Sequence, residues 1–248
     1  MKFLIGDIGN TSTKICVLNN KFKILRSYNF ETKKIYRGNP IKIIIRKIIN
    51  KDLNPVFLFS SVVPKVFKRI KKSLKLTRYK TLEIKDLNLS KVIKINVKNK
   101  KELGSDRIAN AIGAKKFNNC LVIDFGTATT FDVIKNGVYE GGVIAPGVKL
   151  SIKNLSKSTA LLPEINLSSN QKNYGKNTKE ALNAGFVWGY KGLINGIIDK
   201  IISKNKIKYK IILTGGFANF FKKMIATKVI VDQDITVKGI ANVYKELI

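Results

Sequence analysis

One phrase occurs twice in this chain, and it restricts the fold more than any other feature. It reads Phe3-Leu-Ile-Gly-Asp7-Ile-Gly9-Asn10-Thr11 near the start and Leu121-Val-Ile-Asp124-Phe-Gly126-Thr127-Ala-Thr129 in the second half. Each copy is an apolar run, an Asp, one spacer and a Gly, with a hydroxyl residue close behind. β-favouring residues follow both, Lys14–Leu18 and Thr130–Ile134, so each copy predicts strand, tight turn, strand. A turn carrying a carboxylate, free backbone N–H groups and hydroxyls can hold phosphate oxygens and a cation together. A single Asp-x-Gly is also ordinary hairpin chemistry. Two copies opening two similar halves predict a duplicated fold that closes on a nucleotide from both sides. Ile211-Ile-Leu-Thr214-Gly215-Gly216-Phe-Ala218 repeats the theme of a strand running into glycines.

At 248 residues the chain is one large domain or two of about 120. The repeat alone sets the boundary, giving domains 1–117 and 118–248. No apolar run approaches ~18 residues, and Asp7 interrupts the N-terminal apolar stretch before it reaches signal-peptide length. The expectation is a soluble, cytoplasmic protein with no membrane partner. Cys16 and Cys120 fall in predicted strands, lack metal spacing and read as small buried hydrophobes. There is no histidine, which excludes Ser-His-Asp and Cys-His catalysis. A general base must then be a carboxylate, Lys or Tyr.

The formal net charge of +31 raises the question of nucleic acid. The lysines are spread through nearly every segment beside abundant Ile and Asn, the mixture that an AT-rich coding sequence imposes. Their densest run, Lys65 to Lys80, reads as the solvated face of a helix opening at Pro64, without the interleaved aromatics of a stacking platform. No specific nucleic-acid partner is expected. The charge favours solubility and draws in anionic substrates such as ATP.

Along the chain the pattern predicts strands at 2–18 (a hairpin), 22–30, 56–59, 81–84 and 92–97, with helices at 41–50 and 105–116. The second half predicts strands at 120–124, 129–134, 210–214 and 228–231, and helices at 148–157, 178–203 and the C-terminus. A polar stretch, Asn166–Asn177, reads as a mobile loop. Mixed strands and helices with a hairpin opening each half predict an α/β fold. In the helix 178–203, Gly185, Gly189, Gly192 and Gly196 form a stripe at helical spacing. Each Gly costs ~1 kcal/mol against Ala, so close packing must compensate, either inside the domain or against a second helix in a dimer.

Between the two phosphate turns lies Leu103-Gly104-Ser105-Asp106-Arg107. An Asp beside an Arg at a helix start can accept a proton from a hydroxyl while the Arg binds a carboxylate or offsets phosphoryl charge. A helix cap with a surface Arg gives the same pattern.

Taken together, these segments resemble the type III pantothenate kinases of the acetate and sugar kinase/heat-shock protein 70/actin superfamily. The resemblance rests on Asp7–Thr11, Ser60-Ser-Val-Val-Pro64, Gly104–Arg107, Asp124–Phe131, Gly141-Gly-Val-Ile-Ala-Pro-Gly147, Thr159-Ala-Leu-Leu-Pro163, Gly175-Lys-Asn-Thr178 and Thr214–Ala218, in that order. It implies two similar ribonuclease H-like (actin-like ATPase) domains with a nucleotide cleft between them. It implies phosphorylation of the primary hydroxyl of pantothenate by ATP, giving 4′-phosphopantothenate at the first step of coenzyme A synthesis.

By the same resemblance, Asp7, Ile8, Gly9, Asn10, Thr11, Ser12, Thr13 and Lys14 form the first ATP phosphate loop, and Thr127 contacts ATP from the second. Asp124 holds a monovalent cation, potassium or ammonium, and Mg2+ arrives with ATP. Gly104, Ser105, Asp106 and Arg107 line the pantothenate site, with Asp106 as general base, and Thr178 reaches pantothenate across a homodimer interface. The chain departs from the family at Val97, where an aromatic residue is common, and at Lys100, where Pro is usual; Leu103 precedes the motif. The other function open to this scaffold is an ATP-binding accessory factor for transcription, which need not keep Asp7, Asp106, Arg107 and Asp124 together.

Overall fold

The computed structural model describes residues 1–37, 53–75, 79–170, 173–203 and 207–248. The helix expected over Ile41–Asn50 lies outside them. Two compact units emerge, one built from Met1–Lys116, Gly137–Glu140 and Asp234–Ile248, the other from Phe117–Asn136 and Gly141–Gln233. The C-terminal helix therefore belongs with the N-terminal residues.

The first unit carries a five-stranded sheet in the order β3-β2-β1-β4-β5, with β1 Lys2–Ile8, β2 Ser12–Leu18, β3 Ile24–Glu31, β4 Leu53–Ser61 and β5 Lys80–Glu83. β1 pairs antiparallel with β2 and parallel with β4, so this apolar strand is central, and Leu4, Ile5 and Ile8 are buried. Gly6 is required because the Phe59 ring lies where its Cβ would stand. A short helix α1, Thr32–Arg37, follows β3.

Helix α2, Pro64–Leu74, opens on its proline and buries Val66, Ile70 and Leu74 against Leu4, Ile8, Phe57 and Phe59. Each such side chain contributes roughly 1.5–3 kcal/mol on burial, well above the few tenths lost per like-charge neighbour among the outward lysines. The basic run is thus the solvated face of a core helix. Helix α3, Ser105–Ala114, crosses α7, Ile235–Leu247, through paired glycines. Gly113 meets the Ile235 carbonyl and Gly239 meets the Ala109 carbonyl, leaving no room for a Cβ at either. The strand expected at 92–97 is reduced to β6, Lys94–Ile95, paired with Val138 and Tyr139.

The second unit repeats the plan. Its sheet is built on β7 Cys120–Phe125, β8 Ala128–Lys135, β9 Val138–Pro146, β10 Lys210–Gly215 and β11 Val229–Val231 in the order β9-β8-β7-β10-β11, and β6 adds a sixth strand beside the first residues of β9. The order of the first sheet recurs strand for strand, and the duplicated phrase occupies the same central hairpin in both. β7 pairs antiparallel with β8 and parallel with β10. Helices α4 Val148–Lys157, α5 Thr178–Ser203 and α6 Ala218–Phe221 accompany this sheet. Ile152, Tyr190, Ile194, Ile198 and Phe221 join Leu121, Ile123 and Leu213 in its core.

The sequence reading missed β9. Gly141, at φ 121°, and Pro146 interrupt its β pattern, yet the strand bonds on as the third member of the sheet. Within the polar stretch after α4, Ser168 is pinned: its N–H donates to Asn183 Oδ1 at 2.8 Å, and Asn183 Nδ2 donates back to its carbonyl at 3.0 Å.

Candidate active site

The first phosphate-type turn joins β1 to β2. Gly9 N–H donates to the Ser12 carbonyl at 2.9 Å, and Asn10, Thr11 and Ser12 are exposed around it. Ile8 and Thr13 point inward and are fully buried, so these two present backbone alone to a ligand. Thr13 shares a 2.9 Å hydrogen bond with Thr32, whose hydroxyl also donates to the Gly9 carbonyl at 2.7 Å. Thr32 N–H in turn donates to the Thr11 carbonyl at 2.9 Å. Thr32 therefore shapes the turn through three contacts. Lys14 Nζ donates to Asp234 Oδ1 at 2.7 Å. Neither partner was visible in the sequence, since each lies far from the turn along the chain.

The carboxyl ends of β1, β4 and β5 bring three of the motifs together. Asp7 is in register with Ser60, and Val62 N–H donates to the Ile8 carbonyl at 3.1 Å. Val62 also packs by Gly104, which caps α3 in an extended conformation at φ −62°, ψ 141°. A Cβ on Gly104 would stand 2.5 Å from Asp106 Oδ1, so the glycine lets the carboxylate lie against the backbone. That oxygen accepts the Arg107 N–H at 2.8 Å. Burial pushes the Asp106 carboxyl above the usual carboxylate range, opposed by the Arg107 amide, the Arg107 guanidinium and the Lys85 ammonium. The Arg107 guanidinium sits 5.9 Å from the centre of the Tyr139 ring. Tyr139 thus puts an aromatic beside this motif, a residue the sequence reading did not single out.

Glu83, buried at the end of β5, was also missed. Its Oε1 accepts the Ser61 N–H at 3.2 Å and its Oε2 the Lys85 N–H at 2.7 Å. The Ser105 hydroxyl adjoins the same carboxyl, close enough to stabilise its charge but outside good hydrogen-bond geometry. Burial nevertheless raises the Glu83 pKa.

In the second unit, Asp124 ends β7 at the matching position. Gly126 N–H donates to the Ala128 carbonyl at 3.0 Å, leaving Thr127 exposed at the tip. Gly147 packs directly on the Thr127 carbonyl, and Thr129 donates to the Pro146 carbonyl at 3.1 Å. Gly215, at φ 82°, comes so close that a Cβ there would stand 2.5 Å from Asp124 Oδ1 and 2.6 Å from the Phe125 carbonyl. This glycine-lined cradle offers only oxygen donors, a carboxylate and backbone carbonyls, which suits a hard cation such as potassium. Among the described residues no three His, Cys, Asp or Glu side chains gather as a polydentate metal site.

Thr178, exposed at the start of α5, lies in this second unit, whereas Gly104–Arg107 lie in the first. It lines an open apolar groove of about 360 Å³ with Leu155, Leu162, Ala181, Leu182, Gly185 and Phe186. Asn177 caps the helix by accepting the Glu180 N–H at 3.0 Å, while the Glu180 carboxylate accepts the Asn177 side-chain amide and the Lys176 N–H, each at 2.9 Å. Among the described residues, nothing packs against the glycine stripe of α5. Nothing lies within 4 Å of a Cβ at Gly185, Gly189, Gly192 or Gly196.

The type III pantothenate kinase family model matches residues 3–200. The chain belongs to the type III pantothenate kinase family. A type III pantothenate kinase of Pelagibacter ubique is 48% identical over 240 residues, covering 96% of both chains. Among solved structures, a proposed Baf family transcriptional activator from Campylobacter jejuni superposes with a TM-score of 0.64 at 20% identity, covering 98% of each chain. A proposed 2-dehydro-3-deoxygalactonokinase from Sinorhizobium meliloti gives 0.60 at 9% identity, covering 98% of this chain and 97% of its own. These two likenesses establish the fold, that of the sugar kinase and actin-like ATPase group. The 48% relative and the family model carry the pantothenate kinase assignment. No helix among the described residues is long and apolar enough to cross a membrane.

Proposed function

We propose that this kinase transfers the γ-phosphoryl group of ATP to the primary hydroxyl of pantothenate, forming 4′-phosphopantothenate for coenzyme A synthesis in the cytoplasm. The observation that carries the reading is the Asp106–Arg107 pair on α3, linked to the first phosphate turn through Val62 and Ile8. Asp106 accepts the hydroxyl proton as the oxygen attacks phosphorus, and its raised pKa makes it a stronger base than an exposed Asp. Arg107 binds the pantothenate carboxylate or offsets phosphoryl charge. Gly104 and Ser105 complete the acceptor site.

Asp7 and the turn residues Ile8 to Lys14 hold the ATP phosphates, the inward Ile8 and Thr13 through their backbone, and Thr127 adds a further contact. Mg2+ enters as part of MgATP. Asp124 and the carbonyls around Gly215 hold potassium or ammonium, which supplies fixed positive charge. Phosphoryl transfer passes through a loose transition state, so alignment and charge neutralisation supply most of the acceleration, with ~10²–10⁴-fold from the base.

The active form is a homodimer in which Thr178 completes the partner's acceptor site. What supports this is the exposed glycine stripe of α5, with Trp188 on the same helix at 45% exposure and exposed Leu155 lining the groove at Gly185. Mass spectrometry of pantothenate after incubation with the protein and MgATP tests the reaction. The reading requires a gain of one phosphoryl group on the terminal hydroxyl, and unmodified pantothenate contradicts it.

A further inference from the structure

We propose that the turn Glu83–Asp86 is a positioning device for the substrate segment Gly104–Arg107, with Lys85 as the residue that clamps it. Lys85 Nζ donates to the carbonyls of Lys101 and Leu103, each at 2.8 Å, and so brackets Glu102 and holds Leu103, the residue immediately before Gly104. An ammonium group has three donors, and here two of them hold backbone oxygens.

The backbone closure of the bracketed turn is weak, and the Asn99 side chain supplements it, donating to Glu102 Oε1 at 2.6 Å and accepting the Lys101 N–H at 3.1 Å. Glu102 N–H reaches the Asn99 carbonyl at 3.3 Å and Leu103 N–H the Lys100 carbonyl at 3.4 Å, both long for such bonds. Lys85 adds two charge-assisted bonds that tie this turn to the end of β5.

The clamp is itself anchored. Lys85 N–H donates to Glu83 Oε2 and Ser61 N–H to Glu83 Oε1, so one chain of contacts runs from the end of β4 to Leu103. The contact between Gly104 and Asp106 Oδ1 passes any shift of Leu103 directly to the carboxylate. Lys85 never touches the reacting atoms; it acts through the loop. Its charge also faces Asp106, beside that of Arg107, and both lower the pKa that burial raises.

The inference rests on the kinase reading only for the identity of the acceptor. The test compares Lys85→Met and Lys85→Arg with the unaltered protein; Lys85 is exposed, so neither replacement has to enter the core. Lys85→Met is expected to raise KM for pantothenate by about tenfold and leave KM for ATP within about twofold, with Lys85→Arg restoring most of the loss. The acid limb of kcat/KM moves to higher pH in Lys85→Met, because Asp106 loses a neighbouring positive charge. Hydrogen exchange of amides 100–106, which needs no turnover, speeds up in Lys85→Met and returns in Lys85→Arg. Unchanged exchange overturns the clamp whether or not pantothenate is the acceptor. Faster exchange with unchanged pantothenate KM and pH profile overturns its positioning role.

Discussion

Lys14 Nζ lies 2.7 Å from Asp234 Oδ1, so the strand after the first turn is tied to the residue that precedes α7, across most of the chain length. The side chains are 26% and 41% exposed, and a pair this open contributes at most about 1 kcal/mol. The pair therefore orients Lys14 more than it stabilises the unit. Asp234→Asn keeps an acceptor oxygen for Lys14 and removes a negative charge beside the site proposed for ATP phosphates. KM for ATP is expected to fall about two- to threefold at low salt, and the fall should shrink as salt screens it. Lys14→Ala should raise the same constant about tenfold. Initial rates over a range of ATP concentrations read both, and equal KM values in all three proteins would remove Lys14 from the nucleotide site.

Asp106 carries a stability cost with its chemistry. Its folded pKa is raised by burial, so folding favours the protonated form. The related stability is complete below the unfolded pKa and is lost as pH rises through the folded pKa. At pH 8 the ionised, buried carboxylate therefore destabilises the fold. Asp106→Asn should raise Tm at pH 8 by about 2 °C, with the gain vanishing toward pH 4. The same variant should lower kcat at least about tenfold while ATP still binds. Calorimetry at the two pH values and steady-state rates check the pair of effects, and normal turnover would exclude Asp106 as the base.

Gly215 should prove as necessary to the cation as Asp124. A Cβ at Gly215 collides with Asp124 Oδ1 and the Phe125 carbonyl, and φ 82° disfavours any L side chain. Potassium should stimulate turnover of the unaltered protein over sodium by about tenfold or more. Asp124→Ala and Gly215→Ala should both flatten that ratio. A preserved potassium response in Asp124→Ala would place the cation elsewhere.

If the glycine stripe is the proposed dimer contact, a bulky residue on it should separate that dimer without unfolding the chain. A Cβ at Gly189 faces open space among the described residues, so Gly189→Trp starts from an unobstructed position. Sedimentation should shift from dimer to monomer, Tm should fall by no more than about 5 °C from the lost association, and activity should drop because Thr178 no longer reaches a partner. Full activity in a monomer would detach Thr178 from the acceptor site.

The sequence made the two central hairpins legible because their chemistry is local: Asp, spacer, Gly and hydroxyl specify a turn within a few residues. Gly104–Arg107 was readable for the same reason, as a glycine cap followed by a helix start. Thr32, Glu83, Lys85, Tyr139 and Asp234 were not. Each meets its turn only through tertiary packing, with Asp234 lying 220 residues from Lys14, and none sits in a pattern with a chemical meaning of its own. β9 escaped because Gly141 and Pro146 are locally poor strand formers, yet β8 offers them a sheet edge. The Gly stripe was legible as a packing surface, but periodicity could not separate an inner helix face from an outer one. The open space beside those glycines decides that question.

The most direct test is ADP release by the purified protein in potassium buffer with MgATP, measured with and without pantothenate. Release that depends on pantothenate, with one ADP formed for each pantothenate phosphorylated, is the expected result. ATP binding with no stimulation by pantothenate would contradict the kinase reading and favour an ATP-binding regulator built on the same fold.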